Sequence, residues 1–188
     1  MDEILLSMKK AGRAAFRTRE YAALKSSGAY ARLVLSRLKK RGGIEPVKNG
    51  WWAFPDSMPE AVACEVSRPC YLSFHSALYL HGLTTQIPGK IQLAVARKPR
   101  KYSVAGTPVA EYKVLAKNFS GFSRKDGILL AWPEKAFADC LSLPRTCPPV
   151  VLREAIGKID AAKVRVLLSA AAKARLKRVI SYAGQERA

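Results

Sequence analysis

The chain has 188 residues, 49% of them apolar, which is enough for one large or two small domains with cores of their own. Its 33 Lys and Arg face only 14 Asp and Glu, a formal net charge of +19. Such a surplus points to a polyanionic partner, and the shortage of acids argues against metal-dependent phosphoryl chemistry.

Residues 2–11 read as a first helix with Ile4, Leu5 and Met8 as its inner face, stopped at Gly12. Thr18 is a suitable N-cap for a short second helix, with Glu20 near the positive end of its dipole. Tyr21 and Leu24 are spaced to share one face of it. Lys25-Ser26-Ser27-Gly28 breaks the pattern, and either Ser26 or Ser27 can cap the next helix. From Gly28 to Arg41, Ala31, Val34, Leu35 and Leu38 fall on one side at helical spacing. Ala29, Arg32, Ser36, Lys39 and Lys40 fall on the other. Small residues at the front and cations along the same face suit a helix that approaches base edges and phosphates together. Leu33 lies at the border of the two faces.

A hairpin follows. Ile44, Pro46 and Val47 form one arm, and Trp51-Trp52-Ala53-Phe54 forms the return. Asn49-Gly50 between them is the strongest short hairpin signal, because both residues accept positive φ. Lys48 sets a charge beside the tip, where a phosphate would lie. Helix, turn, basic helix and hairpin, in that order, outline a winged helix-turn-helix, which reads duplex DNA. The candidate DNA-binding residues are Arg19, Ser27, Ala29, Arg32, Ser36, Lys39, Lys40, Lys48 and Asn49. The bland alternative is any three-helix domain with a basic solvent face. The charge divides as +8 over residues 1–55 and +11 over the rest, so the second part of the chain is basic too.

The expected architecture is α+β. A winged helix-turn-helix domain over 1–55 precedes a mixed α/β domain over 60–188, with a small sheet and a helical C-terminus. Pro55 to Pro59 reads as the linker. A short helix and a lead-in occupy 60–72. Ser73 caps a helix from Phe74 to His81, and Gly82 closes it. Ile91 to Val95 reads as a strong strand, followed by the basic turn Arg97-Lys98-Pro99-Arg100-Lys101. Further strands are expected at 102–104 and 108–115. Ser120 to Leu130 is turn-rich and ends in an apolar run. Pro133 opens a helix, with proline in its first turn. Glu134 or Lys135 is expected to pair with a neighbouring element. The tail from Val150 to about Ala183 reads as helix in pieces, broken near Gly157 and Ser169. Lys173, Arg175, Lys177 and Arg178 on it are a candidate second nucleic-acid surface, against the competing reading of a solvated face.

No chemistry-bearing constellation emerges. Cys64, Cys70, Cys140 and Cys147 form no C-x-x-C pair, so no metal site is read and reduced thiols are expected, a Cys64–Cys70 disulfide being the alternative. His75 and His81 lie six apart and share no helix face, and their serine neighbours make no triad. Glu134 and Asp139 are five apart and do not pair. No phosphate-cradling loop suggests a cofactor. A binding protein rather than an enzyme is expected. With no signal peptide and no run of membrane-spanning length, it is expected in the cytoplasm and off the membrane.

Two segments of the second part, Ser73-Phe74-His75-Ser76-Ala77-Leu78-Tyr79-Leu80-His81-Gly82-Leu83 and Pro133-Glu134-Lys135-Ala136, together with the N-terminal unit, resemble the AbiEi family of antitoxins from type IV toxin–antitoxin systems. The resemblance covers most of the chain. It implies a repressor that binds inverted repeats in its own promoter through the winged domain. It also implies a functional partner, a nucleotidyltransferase toxin antagonised without a stable complex, with the C-terminal domain needed for that action. Groove reading would then fall on Gly28–Arg41 and phosphate contact on Lys48. The quoted segments assign no residue to antitoxicity. An RNA-binding module with a basic α/β surface is the alternative function.

Overall fold

The computed structural model describes residues 2–25 and 27–185. The first third folds as α1 (Glu3–Lys10), β1 (Ala15–Arg17), α2 (Thr18–Ala23), α3 (Gly28–Lys40), β2 (Glu45–Lys48) and β3 (Trp51–Ala53). Asp2 caps α1 by accepting from the Ile4 amide at 3.0 Å. Ser27 caps α3 by accepting from the Tyr30 amide at 3.4 Å; the other candidate cap, Ser26, lies outside the described residues. The apolar side of α3 behaves as its spacing requires. Ala31 and Leu35 are fully buried beside Leu5, Phe16, Tyr21, Ile44 and Phe54, with Ile4, Met8, Val34 and Leu38 packed against them.

The sheet here is three-stranded and antiparallel, in the order β1-β3-β2. The Asn49-Gly50 hairpin forms as expected, but only Gly50 takes a positive φ, at +73°. The pairing of β2 shifts register between Pro46 and Lys48 instead. Two expectations for α2 fail. Thr18 does not cap it: Arg17 holds the cap position, and the Thr18 hydroxyl accepts from the Trp52 indole at 2.8 Å. The Glu20 carboxylate caps instead, accepting from the Arg17 amide at 3.0 Å. Leu24 is 60% exposed while Tyr21 is buried, because the helix has ended before Leu24 and no face is left to share.

The rest of the chain builds a six-stranded mixed sheet in the order β6-β7-β5-β4-β9-β8. Its strands are β4 (Cys70–Leu72), β5 (Ile91–Val95), β6 (Lys101–Val104), β7 (Thr107–Lys113), β8 (Phe122–Lys125) and β9 (Ile128–Ala131). β5 runs parallel to β7 and β4 parallel to β9; the other neighbours are antiparallel. The sheet is larger than the expected small one, since β4 and β8 do not announce themselves by alternation. Every residue of β4 and β5 is buried, as befits strands covered on both faces. One face carries α4 (Pro59–Ser67): the Cys70 thiol donates to the Cys64 carbonyl at 3.3 Å. The other carries α5 (Phe74–Leu80) and α6 (Pro133–Ser142), with α7 (Pro149–Ile156), α8 (Ala161–Val166) and α9 (Ala170–Gln185) beyond them. The tail breaks at Gly157 and Ser169 are where the pattern places them.

The two segments singled out in the second part meet in the core. Asp139 of α6 accepts from Ser73 at 2.8 Å, from Tyr71 at 3.0 Å and from Lys135 at 2.6 Å. Ser73 therefore holds the cap position of α5 but spends its hydroxyl on Asp139 rather than on the helix amides. Lys135 pairs within its own helix, not with a neighbouring element. Burial raises the Asp139 carboxyl above its usual range, with Lys135, Ser73 and Tyr71 pulling the other way. His75 and His81 engage the carbonyls of Gln86 and Ala131, each at 2.8 Å. The four cysteines are buried and free.

The N-terminal sheet is shared. Ala14, Ala15, Trp51 and Ala53 belong to the same buried cluster as the large sheet and its helices. Buried Glu65 of α4 accepts from the Ala14 amide at 3.1 Å and pairs with Arg13. Arg13 in turn reaches Glu20 at 3.0 Å. The segment read as a linker is a turn, closed by the Ser57 amide on the Phe54 carbonyl at 3.0 Å.

Candidate nucleic-acid interface

A cavity of about 810 Å³ opens where α2, the start of α3, the β2–β3 turn and the start of β6 converge. Its cations are Arg17, Arg19, Arg32, Lys48, Arg100 and Lys101, and among the described residues no carboxylate lines it. Ala22 and Gly28 line it as well.

Each wall has a local cause. The Thr18 amide donates to the Gly50 carbonyl at 2.8 Å, and Thr18 also holds Trp52, so the N-terminus of α2 is tied to the hairpin. The Arg17 guanidinium lies 4.6 Å above the Trp51 ring, and the Lys48 ammonium 4.2 Å above the Tyr102 ring. Both contacts are in the range where a ring face attracts a cation. On the far wall, the buried Glu111 carboxylate of β7 accepts from Arg97 at 2.8 Å and from the Arg100 amide at 2.8 Å. It also accepts from Ser67 at 2.6 Å. That single acid fixes the arm that presents Arg100 and Lys101 to the groove. Burial works against its charge, but the bonds from Arg97, Ser67 and the Arg100 amide prevail and hold its pKa near 2. For Lys48 it is the charged form that is disfavoured. Burial lowers its pKa, and the nearby Arg100 lowers it further. An anion beside that ammonium would favour its charged form.

The candidate residues divide. Arg19, Arg32, Lys48 and Asn49 line the groove. Ala29, Ser36, Lys39 and Lys40 are exposed along α3, continuing its outer face away from the cavity. Ser27 serves as the helix cap. Lys48 departs from its expected posture: it is half-buried on Tyr102 instead of standing free beside the hairpin tip. Arg17, Arg100, Lys101 and Tyr102 line the groove as well, although they stand outside the candidate set. The run Arg97–Lys101 was a visible basic turn, but nothing local says that it folds back beside the hairpin. In the tail, Lys173, Lys177 and Arg178 are exposed, whereas Arg175 is part-buried and donates to the Leu141 carbonyl at 2.6 Å. That arginine closes the end of α6 rather than waiting for a phosphate. Among the described residues no cluster of His, Cys, Asp and Glu could hold a metal, and no helix is long and apolar enough to cross a membrane.

No family model and no curated protein matches the chain. Among solved structures it is similar to the RV2827C protein from Mycobacterium tuberculosis, with a TM-score of 0.63 and 14% identity, over 96% of this chain and 76% of that one. At that identity the likeness is one of fold, and it extends over both units.

Proposed function

We propose that the protein binds duplex DNA as a transcriptional repressor, with its first third acting as a winged helix-turn-helix. In this reading α3 enters the major groove, the β2–β3 hairpin is the wing, and the arm at Arg100 and Lys101 grips the flanking backbone. The observation that carries it is the groove itself: six cations from both units around the N-terminus of α3, with no acid among them. The order α1-β1-α2-α3-β2-β3 and the exposed, basic outer face of α3 support it. At ~1.5 Å per residue α3 is about 20 Å long, enough to lie along a major groove.

The resemblance of the Ser73–Leu83 and Pro133–Ala136 segments supplies the rest of the proposal. The regulated promoter is the protein's own, and the second unit counteracts a nucleotidyltransferase toxin without a lasting complex. No catalytic step is part of it. Both histidines bond main-chain carbonyls, and Asp139 is held by three donors in the core. Footprinting of the DNA upstream of the reading frame tests the repressor reading. Two protected half-sites, inverted and about one helical turn (~34 Å) apart, are expected from two copies. Protection that is uniform along the fragment, or lost to an equal mass of structured RNA, would overturn it.

A further inference from the structure

We propose that the groove between α8 and α9 is a docking site for an acidic amphipathic helix of a partner protein. The groove, about 320 Å³, has a floor of Ala161, Ala162, Leu176 and Ile180 and a rim of Arg165, Lys173 and Lys177. Ile180 is 46% exposed, and neighbouring Val166 is 84% exposed. Ile180 is thus an open apolar side chain between the rim cations, and its burial under a partner would be favourable.

The geometry suits a helix. Lys173, Lys177 and Ile180 lie at i, i+4 and i+7 on α9, one straight edge of the groove. Ala161 and Arg165 stand one turn apart on α8 and form the opposite edge. Small alanines on one wall allow close approach of a second backbone. An incoming helix would set its apolar stripe on the floor and its carboxylates on the rim. Among the described residues no carboxylate pairs with Arg165, Lys173 or Lys177: the Asp160 carboxylate beside them is taken by Lys163 and by the amides of Ala162 and Lys163. The rim cations are therefore available to a partner.

The floor decides against a nucleic acid. Single-stranded binders stack bases on aromatic rings, and none lines this groove. The site is also separate from the cationic groove at α3, with which it shares no residue.

The test uses the full chain and a labelled 14-residue peptide with leucines at i, i+3, i+4, i+7 and glutamates elsewhere. A scrambled peptide of the same composition is the control, and fluorescence anisotropy is the readout. The patterned peptide is expected to bind at least about tenfold more tightly than the scrambled one. Lys173→Glu with Lys177→Glu should cost it at least about tenfold, and Ile180→Ser should weaken it at unchanged charge. Circular dichroism checks that each variant is folded, and binding to upstream DNA should be unchanged in Ile180→Ser. Equal binding of the two peptides, no binding of either, or undiminished peptide binding in the charge-reversed variant would overturn the proposal.

Discussion

Glu111 is the residue on which the second wall of the cationic groove depends. It is one buried carboxylate facing Arg97, Arg100 and Ser67, in a protein with a large surplus of positive charge. Its pKa is held near 2, below the ordinary glutamate value of 4.5. A depressed carboxylate stabilises the fold fully above its unfolded pKa, and that contribution is lost as pH falls from 4.5 through about 2. The shift corresponds to about 3 kcal/mol at neutral pH. Urea midpoints measured at pH 7, 4 and 2.5 should therefore fall more steeply for the wild type than for Glu111→Gln. Parallel curves would mean that the carboxylate is not held as described. At pH 7 the Gln variant should also bind DNA less tightly, because Arg100 and Lys101 lose their anchor.

At the scale of the element, the hairpin and the turns show what a sequence can and cannot say. Asn49-Gly50 announced its hairpin from two residues. The same two-residue logic marks Ala105-Gly106 and Asp126-Gly127, where both members take positive φ: +46° and +79° in one turn, +47° and +81° in the other. The strands beside the second turn went unread because Phe122–Lys125 is polar on three of its four residues and mostly exposed, so alternation gave no signal. Cys70–Leu72 was missed for the opposite reason: it is buried on both faces and only three residues long. The basic side of α3 was legible because a helix with four apolar residues on one face must turn its cations outward. The Lys48–Tyr102 contact was not, since it joins positions 54 residues apart in different elements. Lys48→Ala should lower affinity for every duplex alike and reduce the salt slope by about 1, leaving discrimination between sequences intact. A selective loss on one sequence, in gel-shift titrations of operator and unrelated duplex, would place this side chain on a base instead.

For the whole molecule, the two units are one construction. The β1-β3-β2 sheet lends Ala14, Ala15, Trp51 and Ala53 to the larger core, and Glu65 ties Arg13 and the Ala14 main chain to α4. Nothing in the sequence around Pro55–Pro59 shows this, because a linker and a tight turn draw on the same residues. A fragment of residues 1–56 would expose that face, so its thermal unfolding should be weak or absent and its DNA binding poor. A fragment that melts cooperatively near the full chain would contradict the shared core. The central claim is that α3 reads duplex DNA with the second unit's arm as its clamp. The most direct test is a salt titration of binding to the upstream duplex, run on wild type, Arg32→Ala and Arg100→Ala. With Arg32 on a base and the other five groove cations on phosphates, the wild-type slope of log K against log salt should be about −4.5 per bound copy. Arg100→Ala should flatten it by about 1 at unchanged sequence preference, while Arg32→Ala should lose ~1–3 kcal/mol on the operator alone. A slope near zero, or the same affinity and preference in all three proteins, would contradict the account.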